Sequence, residues 1–317
     1  MKILITGAGG YIGSRVCYEL MKDHEIIPID NFYSSQIESI NGNKILNIDI
    51  RDRKAMEKLM PFDCIVHLAA ISGVQDCEKN PDLAYEVNVL GTLNIAYLSR
   101  KYKIPLIFAS SMAIFGDLQY FPVDEKHPRN PINFYGFTKY LGMENIKLLS
   151  KNNFPAYIFI MSNVYGNHIL NGKKITKNTV INKFIESVKK NKEMTVYKPG
   201  TQARNFIHVK DVALAYKLAV SKIFSEKGYK EFCLAGNESF SVLRISEMIK
   251  KYAKKYGYNS KIKFIENPRK ETLVKDFSVD ISRIKEIGFE PDYGIEKGIK
   301  EMFEYKENFE NKENCNI

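Results

Sequence analysis

Lys2-Ile-Leu-Ile-Thr-Gly-Ala-Gly-Gly-Tyr-Ile-Gly13 decides the fold. An apolar run, Ile3 to Ile5, enters a turn in which Gly7, Gly10 and Gly13 recur at three-residue spacing, and a helical pattern follows over 11–22. Glycine is needed where the backbone turns tightly and where it must touch a pyrophosphate. A helix starting near Tyr11 presents free N–H groups and the positive end of its dipole to such an anion. Gly7, Gly10, Tyr11, Ile12 and Gly13 are therefore candidate dinucleotide contacts. A second apolar run, Glu25-Ile-Ile-Pro-Ile29, ends in Asp30, about 20 residues beyond the glycines. A carboxylate there accepts hydrogen bonds from both adenosine ribose hydroxyls and repels a 2′-phosphate, which favours NAD over NADP. Arg15 is the one nearby cation that opposes this preference.

Working outward, apolar runs recur at 45–48, 64–69, 105–109 and 156–161, with helical patterns at 52–60, 81–102 and 135–150 between them. Strands alternating with helices predict βαβ units, an α/β class and a parallel sheet covered on both faces. Cys64-Ile-Val-His-Leu-Ala69 is nearly all apolar, as a strand buried on both faces requires. After residue 166 the rhythm changes. A polar loop over 168–178 precedes a helix at 179–190, strands at 195–197 and 206–209, and a helix at 211–222. A strand at 232–234, a helix at 242–256, a strand near 261–265 and a helix at 294–306 complete the pattern. The expected division is 1–166 for the dinucleotide half and 167–317 for a smaller lobe, with 200–220 returning to pack on the first. The polar end, 308–317, is expected to fray.

With 317 residues, 44% of them apolar, the chain is long enough for a large core. No apolar run approaches the roughly 20 residues that cross a bilayer, and the N-terminus lacks the features of a signal peptide. A cytoplasmic protein is expected. Cys17, Cys64, Cys77, Cys233 and Cys315 are odd in number and scattered, so neither a disulfide framework nor a zinc site is indicated, and no metal is expected. The net charge of +10 comes from lysines spread over helix faces rather than a basic stripe interleaved with aromatics. That excludes a nucleic-acid surface and suits an anionic small substrate.

Tyr135-Gly-Phe-Thr-Lys139 places a phenol and an amine at i and i+4, one turn apart on one helix face. A phenol of pKa near 10 is a poor base at neutral pH, and a nearby ammonium favours the phenolate. Ser110 and Ser111 end the 105–109 strand at the carboxyl edge, where ligands bind in an open parallel sheet. Ser111 is placed to hydrogen-bond a reacting oxygen.

With these pieces the chain resembles the extended short-chain dehydrogenase/reductases, the NAD-dependent sugar-nucleotide epimerase/dehydratase family. Further matches are Asp30-Asn31, Asp49-Ile-Arg-Asp52, His67-Leu-Ala-Ala70, Asn88-Val-Leu-Gly-Thr92, Ser110-Ser-Met-Ala-Ile-Phe-Gly116, Asn163-Val-Tyr-Gly166 and Arg204-Asn-Phe-Ile-His-Val-Lys-Asp211. The resemblance spans nearly the whole chain. It implies a Rossmann-type doubly wound parallel sheet with a smaller C-terminal α/β substrate lobe. It also implies NAD as cofactor, a nucleotide-diphosphate sugar as substrate and a homodimer. By the same likeness Ser111, Tyr135 and Lys139 form the catalytic triad. Asn31, Asp49, Ile50, Leu68, Ala69, Ala70 and Asn88 join the cofactor contacts. Asn163, Arg204 and Arg269 hold the diphosphate, and Asn178 and Tyr197 lie where the family holds base and sugar. The chain departs from the family at Ile160, where an arginine is usual, at Phe115 in place of a tyrosine, and at Glu271-Thr272 after Arg269.

Met112-Ala113 follow Ser111 where the family's dehydratases carry an acid pair, so elimination lacks its base. An epimerase of the UDP-glucose/UDP-galactose type, acting through a transient 4-keto sugar with hydride held on NAD and returned, fits best. The alternatives are a nucleotide-sugar reductase or dehydrogenase that releases its cofactor, and a non-catalytic dinucleotide sensor. Leu83, Val87, Leu141 and Leu148 suit either a dimer face or burial against the chain's own sheet.

Overall fold

In the computed structural model, residues 1–267, 274 and 277–304 are described. Seven parallel strands form the main sheet: β1 (Lys2–Thr6), β2 (Glu25–Asp30), β3 (Leu46–Asn47), β4 (Cys64–His67), β5 (Leu106–Ser111), β6 (Ala156–Met161) and β7 (Tyr229–Leu234). Their spatial order is β7-β6-β5-β4-β1-β2-β3. The chain runs outward from β1 to β3, then crosses back to β4 on the other side of β1. The carboxyl ends of β1 and β4 thus flank the point where strand order reverses, and a crevice for ligand opens there.

The strands alternate between two apolar layers. Ile3, Ile5, Cys64, Val66, Ile107, Tyr157 and Phe159 face one, and Leu4, Ile65, Leu106, Phe108, Ile158 and Ile160 face the other. Each buried aliphatic side chain of this kind contributes about 1.5–3 kcal/mol. The first layer is covered by α1 (Tyr11–Leu20), and the second by α2 (Thr92–Tyr102) and α3 (Phe134–Ser150). Ile160 is fully buried beside Phe108, so no arginine is accommodated there without displacing core.

Tyr229–Leu234, which the sequence analysis assigns to the second lobe, is the seventh sheet strand and pairs with β6 along its length. Phe232 sets its ring edge-on to Tyr157, 5.0 Å between centroids, and packing of this kind is invisible in a linear pattern. Helix α4 (Val209–Lys222) also lies on the sheet, with Val212, Ala213 and Tyr216 in the layer of Ile3 and Ile5. The expected strand at 206–209 is Ala203–His208. Val209 already belongs to α4, whose first turn is capped by His208.

Three further elements differ from expectation. The pattern at 81–102 is broken into Pro81–Tyr85, a π-helical segment Glu86–Gly91, and α2. A helix over Val74–Lys79 precedes it. The polar stretch after 168 is a hairpin, His168–Leu170 with Lys173–Ile175, turned at Asn171 and Gly172, both at positive φ. The second lobe packs helices Val180–Lys189, Val242–Lys255 and Ile295–Glu304 around Phe184, Phe206, Ile245, Ile249 and Ile299. The expected continuation of the last helix to 306 and the tail from 308 lie outside the described residues. Among the described residues no helix is long and apolar enough to cross a membrane.

Candidate active site

The glycine turn is built by close approach. Gly7 sits at φ +68, and a Cβ there would lie 2.7 Å from the Ala69 nitrogen. At Gly13 a Cβ would lie 1.9 Å from the Gly7 oxygen. Helix α1 starts after Gly10, and no side chain caps it, so its first N–H groups are open to an anion. Thr6 anchors the facing loop. Its hydroxyl oxygen accepts from the Leu68 and Ala69 nitrogens at 3.2 and 3.1 Å and lies 2.7 Å from His67 Nδ1. The other ring nitrogen of His67 is 3.0 Å from the Thr92 hydroxyl. Burial, and then the nearby Lys139, lower the His67 pKa to about 3, so the ring is a neutral strut. The sequence analysis misses this Thr6–His67–Thr92 relay, for which the signal is polar residues embedded in apolar runs.

Asp30 closes the groove on the β2 side. Its carboxylate accepts from Gly9 N at 3.0 Å and Phe32 N at 2.8 Å. Burial raises its pKa against the pull of those bonds. Arg15, the cation that opposes the NAD reading, is paired with Glu19 at 2.9 Å. Asn31 donates to Asp49 at 2.8 Å, and Asp49 is also held by Arg51. Ile50 packs on Gly91, where a Cβ would meet its Cδ1 at 2.6 Å. Ala70 is half-buried in the loop after β4. Asn88 is buried, and its amide is committed to the protein. It accepts from Ile71 N at 2.8 Å and donates to Ile71 O and the Thr138 hydroxyl, both at 3.0 Å. The structure thus places Asn88 as a clip between the loop after β4 and α3.

Ser111 ends β5, and Tyr135 and Lys139 lie in the first turns of α3, which Asn133 caps by accepting from Gly136 N at 2.9 Å. Tyr135 and Ser111 are hydrogen-bonded, and Lys139 lies one turn further along α3. Burial raises the Tyr135 pKa above the ordinary phenol value, and a hydrogen bond with Ser111 pulls it back. Lys139 is 3% exposed, and burial lowers its pKa to about 7. Its ammonium lies 4.3 Å from the Phe108 ring centroid. The Cys77 thiol is within electrostatic reach of both Tyr135 and Lys139. Gly136 makes the Ser111–Tyr135 contact possible, because a Cβ there would sit 2.3 Å from the Ala113 oxygen, just past Ser111. The sequence analysis passes over Gly136, since a single glycine inside a helical pattern carries no signal of what it touches.

The proposed substrate residues lie on the second-lobe side. Asn163 and Arg204 sit on adjacent parallel strands, Asn163–Tyr165 and Ala203–His208. Asn163 is exposed and donates to Asn205 O at 2.9 Å. Arg204 is half-buried, with a guanidinium nitrogen 3.3 Å from Ala203 O. Tyr197 is exposed at the end of strand Met194–Tyr197, and Asn178 is exposed just before helix Val180–Lys189. Arg269 and the departing Glu271-Thr272 lie outside the described residues. Cys17, Cys64, Cys77 and Cys233 are free and buried, and among the described residues no cluster of metal-ligating side chains occurs.

These residues fit a dinucleotide on structural grounds: an uncapped helix N-terminus, two glycines with no room for a Cβ, and a carboxylate at the end of the neighbouring strand. A model of the NAD dependent epimerase/dehydratase family matches residues 3–235. A putative UDP-glucose 4-epimerase of Methanocaldococcus jannaschii is 32% identical over 96% of this chain and 98% of its own. The crystal structure of a Thermotoga maritima UDP-glucose 4-epimerase with UDP-glucose superimposes with a TM-score of 0.85 at 28% identity, covering 96% of this chain and 98% of that one. The Thermus thermophilus UDP-glucose 4-epimerase complex with NAD gives 0.81 at 25% identity, with 96% and 98% coverage. With the glycine turn, Asp30 and the Ser111–Tyr135 pair already in place, the match assigns the chain to the NAD dependent epimerase/dehydratase family, as an enzyme that uses NAD.

Proposed function

We propose that this enzyme inverts C4 of a UDP-hexose, interconverting UDP-glucose and UDP-galactose. The observation that carries this reading is the Ser111–Tyr135 hydrogen bond with Lys139 one turn further along α3, and no carboxylate at positions 112–113 to drive elimination. The UDP-glucose 4-epimerases found among relatives and solved structures support it.

Asp30, Asn31, Asp49, Ile50 and the loop 68–70 are proposed to hold the adenosine and ribose, and α1 the pyrophosphate. NAD, when bound, supplies a reversible hydride acceptor beside the sugar. All proton movement falls to the chain. The Tyr135 oxygen takes the 4-hydroxyl proton, with Ser111 bonded to the same oxygens, and returns it after the sugar turns. Working at neutral pH requires the phenol to titrate about three units below its free value, about 4 kcal/mol of differential stabilisation. Lys139, whose pKa of about 7 leaves it part protonated at neutral pH, is proposed as the chain's source of that field. Asn163, Arg204 and Arg269 are proposed to hold the diphosphate while the 4-keto sugar rotates, and Asn178 and Tyr197 to hold the base and sugar.

The division into a dinucleotide half and a substrate lobe is part of this proposal, as is a homodimer. Leu90, Tyr97, Phe137 and Leu148 are exposed on the face shared by the π segment, α2 and α3, Leu148 at 75%. Val87, by contrast, is buried in the chain's own core. A protein purified without added cofactor is expected to release about one NAD per chain on denaturation and to convert UDP-glucose unaided. An empty protein that consumes added NADH or NADPH would replace this reading with the reductase.

A further inference from the structure

Lys177 stands in the loop before helix Val180–Lys189 and reaches back to the other half of the molecule, where its ammonium donates to the Ser72 hydroxyl at 2.5 Å. Ser72 belongs to the loop after β4, so the contact spans the crevice from the second lobe to the sheet. Lys177 is exposed as a residue, and desolvation of its ammonium lowers its pKa. Ser72 follows the Leu68–Ala69 backbone that packs against Gly7, which sets the contact on the glycine-turn side of the crevice. Asp76 attracts the ammonium from a distance, but among the described residues no carboxylate is within ion-pair reach of it.

The loop is held from below by Asn182, which is 1% exposed. The Asn182 amide donates to Lys177 O at 3.0 Å, to the Thr176 hydroxyl at 3.1 Å and to Gly166 O at 2.8 Å, and it accepts from Gly166 N at 2.9 Å. Gly166 O in turn accepts from the hydroxyl of Tyr11, the first residue of α1. A continuous set of hydrogen bonds therefore runs from the glycine turn to the Lys177 loop. Asn182 is the positioning residue in it.

We propose that Lys177 and Ser72 form a clasp over the groove between the glycine turn and the catalytic triad, with the Lys177 ammonium binding a diphosphate oxygen. An ammonium has three donors, and among the described residues one of them is taken by a neutral hydroxyl. A partly desolvated cation with donors to spare is best satisfied by an anion, and charge-assisted bonds to phosphate are the strong ones. Two diphosphates meet in this groove if the enzyme is the epimerase proposed above, that of NAD and that of the sugar nucleotide. The clasp rests on that reading only for the second.

The test uses the full-length holoenzyme and its Lys177→Met, Lys177→Arg and Ser72→Ala variants. NAD released on denaturation is quantified, and UDP affinity is measured by calorimetry, with thermal melts as a folding control. Lys177→Met is expected to weaken one of the two by about tenfold or more, Lys177→Arg to restore most of it, and Ser72→Ala to change it less than about threefold. Loss of UDP affinity with NAD content intact assigns the anion to the sugar nucleotide. Loss of NAD with normal UDP affinity after reloading assigns it to the cofactor, and loss of both means that it bridges them. Unchanged values for both in a well-folded Lys177→Met protein overturn the proposal. Neither readout measures turnover, so a protein that binds UDP and NAD through Lys177 but does not invert UDP-glucose sinks the epimerase reading alone.

Discussion

The hydroxyl of Tyr11 donates to the carbonyl oxygen of Gly166, 155 positions away, across 2.8 Å. The bond joins the dinucleotide turn to the place where the chain leaves the sheet for the second lobe. Burial pushes the Tyr11 pKa far above that of free phenol, so the group remains a donor throughout the working range. Gly166 O keeps its second donor, Asn182, when Tyr11 is replaced. Tyr11→Phe is therefore expected to cost about 1 kcal/mol, a fall of a few degrees in melting temperature, with the fold retained. A thermal melt checks it.

Tyr135→Phe removes the oxygen proposed to exchange the sugar's proton. The expected fall in kcat is about 10²–10⁴-fold, the range for a positioned acid–base group, with NAD content near that of the unaltered protein. Steady-state kinetics beside a cofactor assay decide the matter. Full activity in the variant would remove Tyr135 from the reaction.

Lys139 ties catalysis to stability. Its folded pKa is about 7, against 10.5 for an ordinary lysine. Between those values the unfolded chain holds a proton here that the cofactor-free folded chain does not, so this group makes stability rise with pH from about 7 toward 10.5. Below about 7 both states are protonated and the slope vanishes. Replacement by methionine removes the buried charge. Lys139→Met is expected to flatten the rise in stability between pH 7 and 9, to stabilise the cofactor-free protein at pH 7, and to abolish turnover. Denaturant titrations at several pH values, run on protein stripped of NAD, measure the first two.

Gly136→Ala tests how Tyr135 is aimed. The added methyl meets the Ala113 oxygen at 2.3 Å, so α3 must shift away from the end of β5. Overpacking of this kind costs about 1–3 kcal/mol. A misplacement of about 1 Å between catalytic groups costs about a hundredfold in rate. The expected result is a large loss of kcat with NAD retained, because the glycine turn is untouched.

The cofactor half was legible because its signals are local. A strand, the glycine turn and a helix follow one another between Lys2 and Leu20, and Asp30 comes at the end of the next strand. The triad was legible for a similar reason: helical spacing fixes Tyr135 against Lys139, and a strand end fixes Ser111. Features that depend on distant partners were not. Tyr229–Leu234 reads as a lobe strand because nothing in its residues names Ala156–Met161 as its neighbour. The bonds that tie the Asn88 amide to Ile71 and Thr138, fifty positions apart in the latter case, are equally silent in the sequence. The hairpin at 168–175 was hidden by its lysines, although Asn171-Gly172 is a hairpin turn signal. Asn182 gave no signal at all, because a lone polar residue on a helix face is most often solvated.

The central claim is that hydrogen leaves the sugar carbon to a bound carrier and returns to the same carbon without mixing with water. Epimerisation of UDP-glucose in D₂O, followed by proton NMR of the UDP-galactose formed, tests it directly. The account predicts a product that keeps full protium at C4, made without added cofactor. Deuterium at C4 would show a proton abstracted to solvent, and would contradict it.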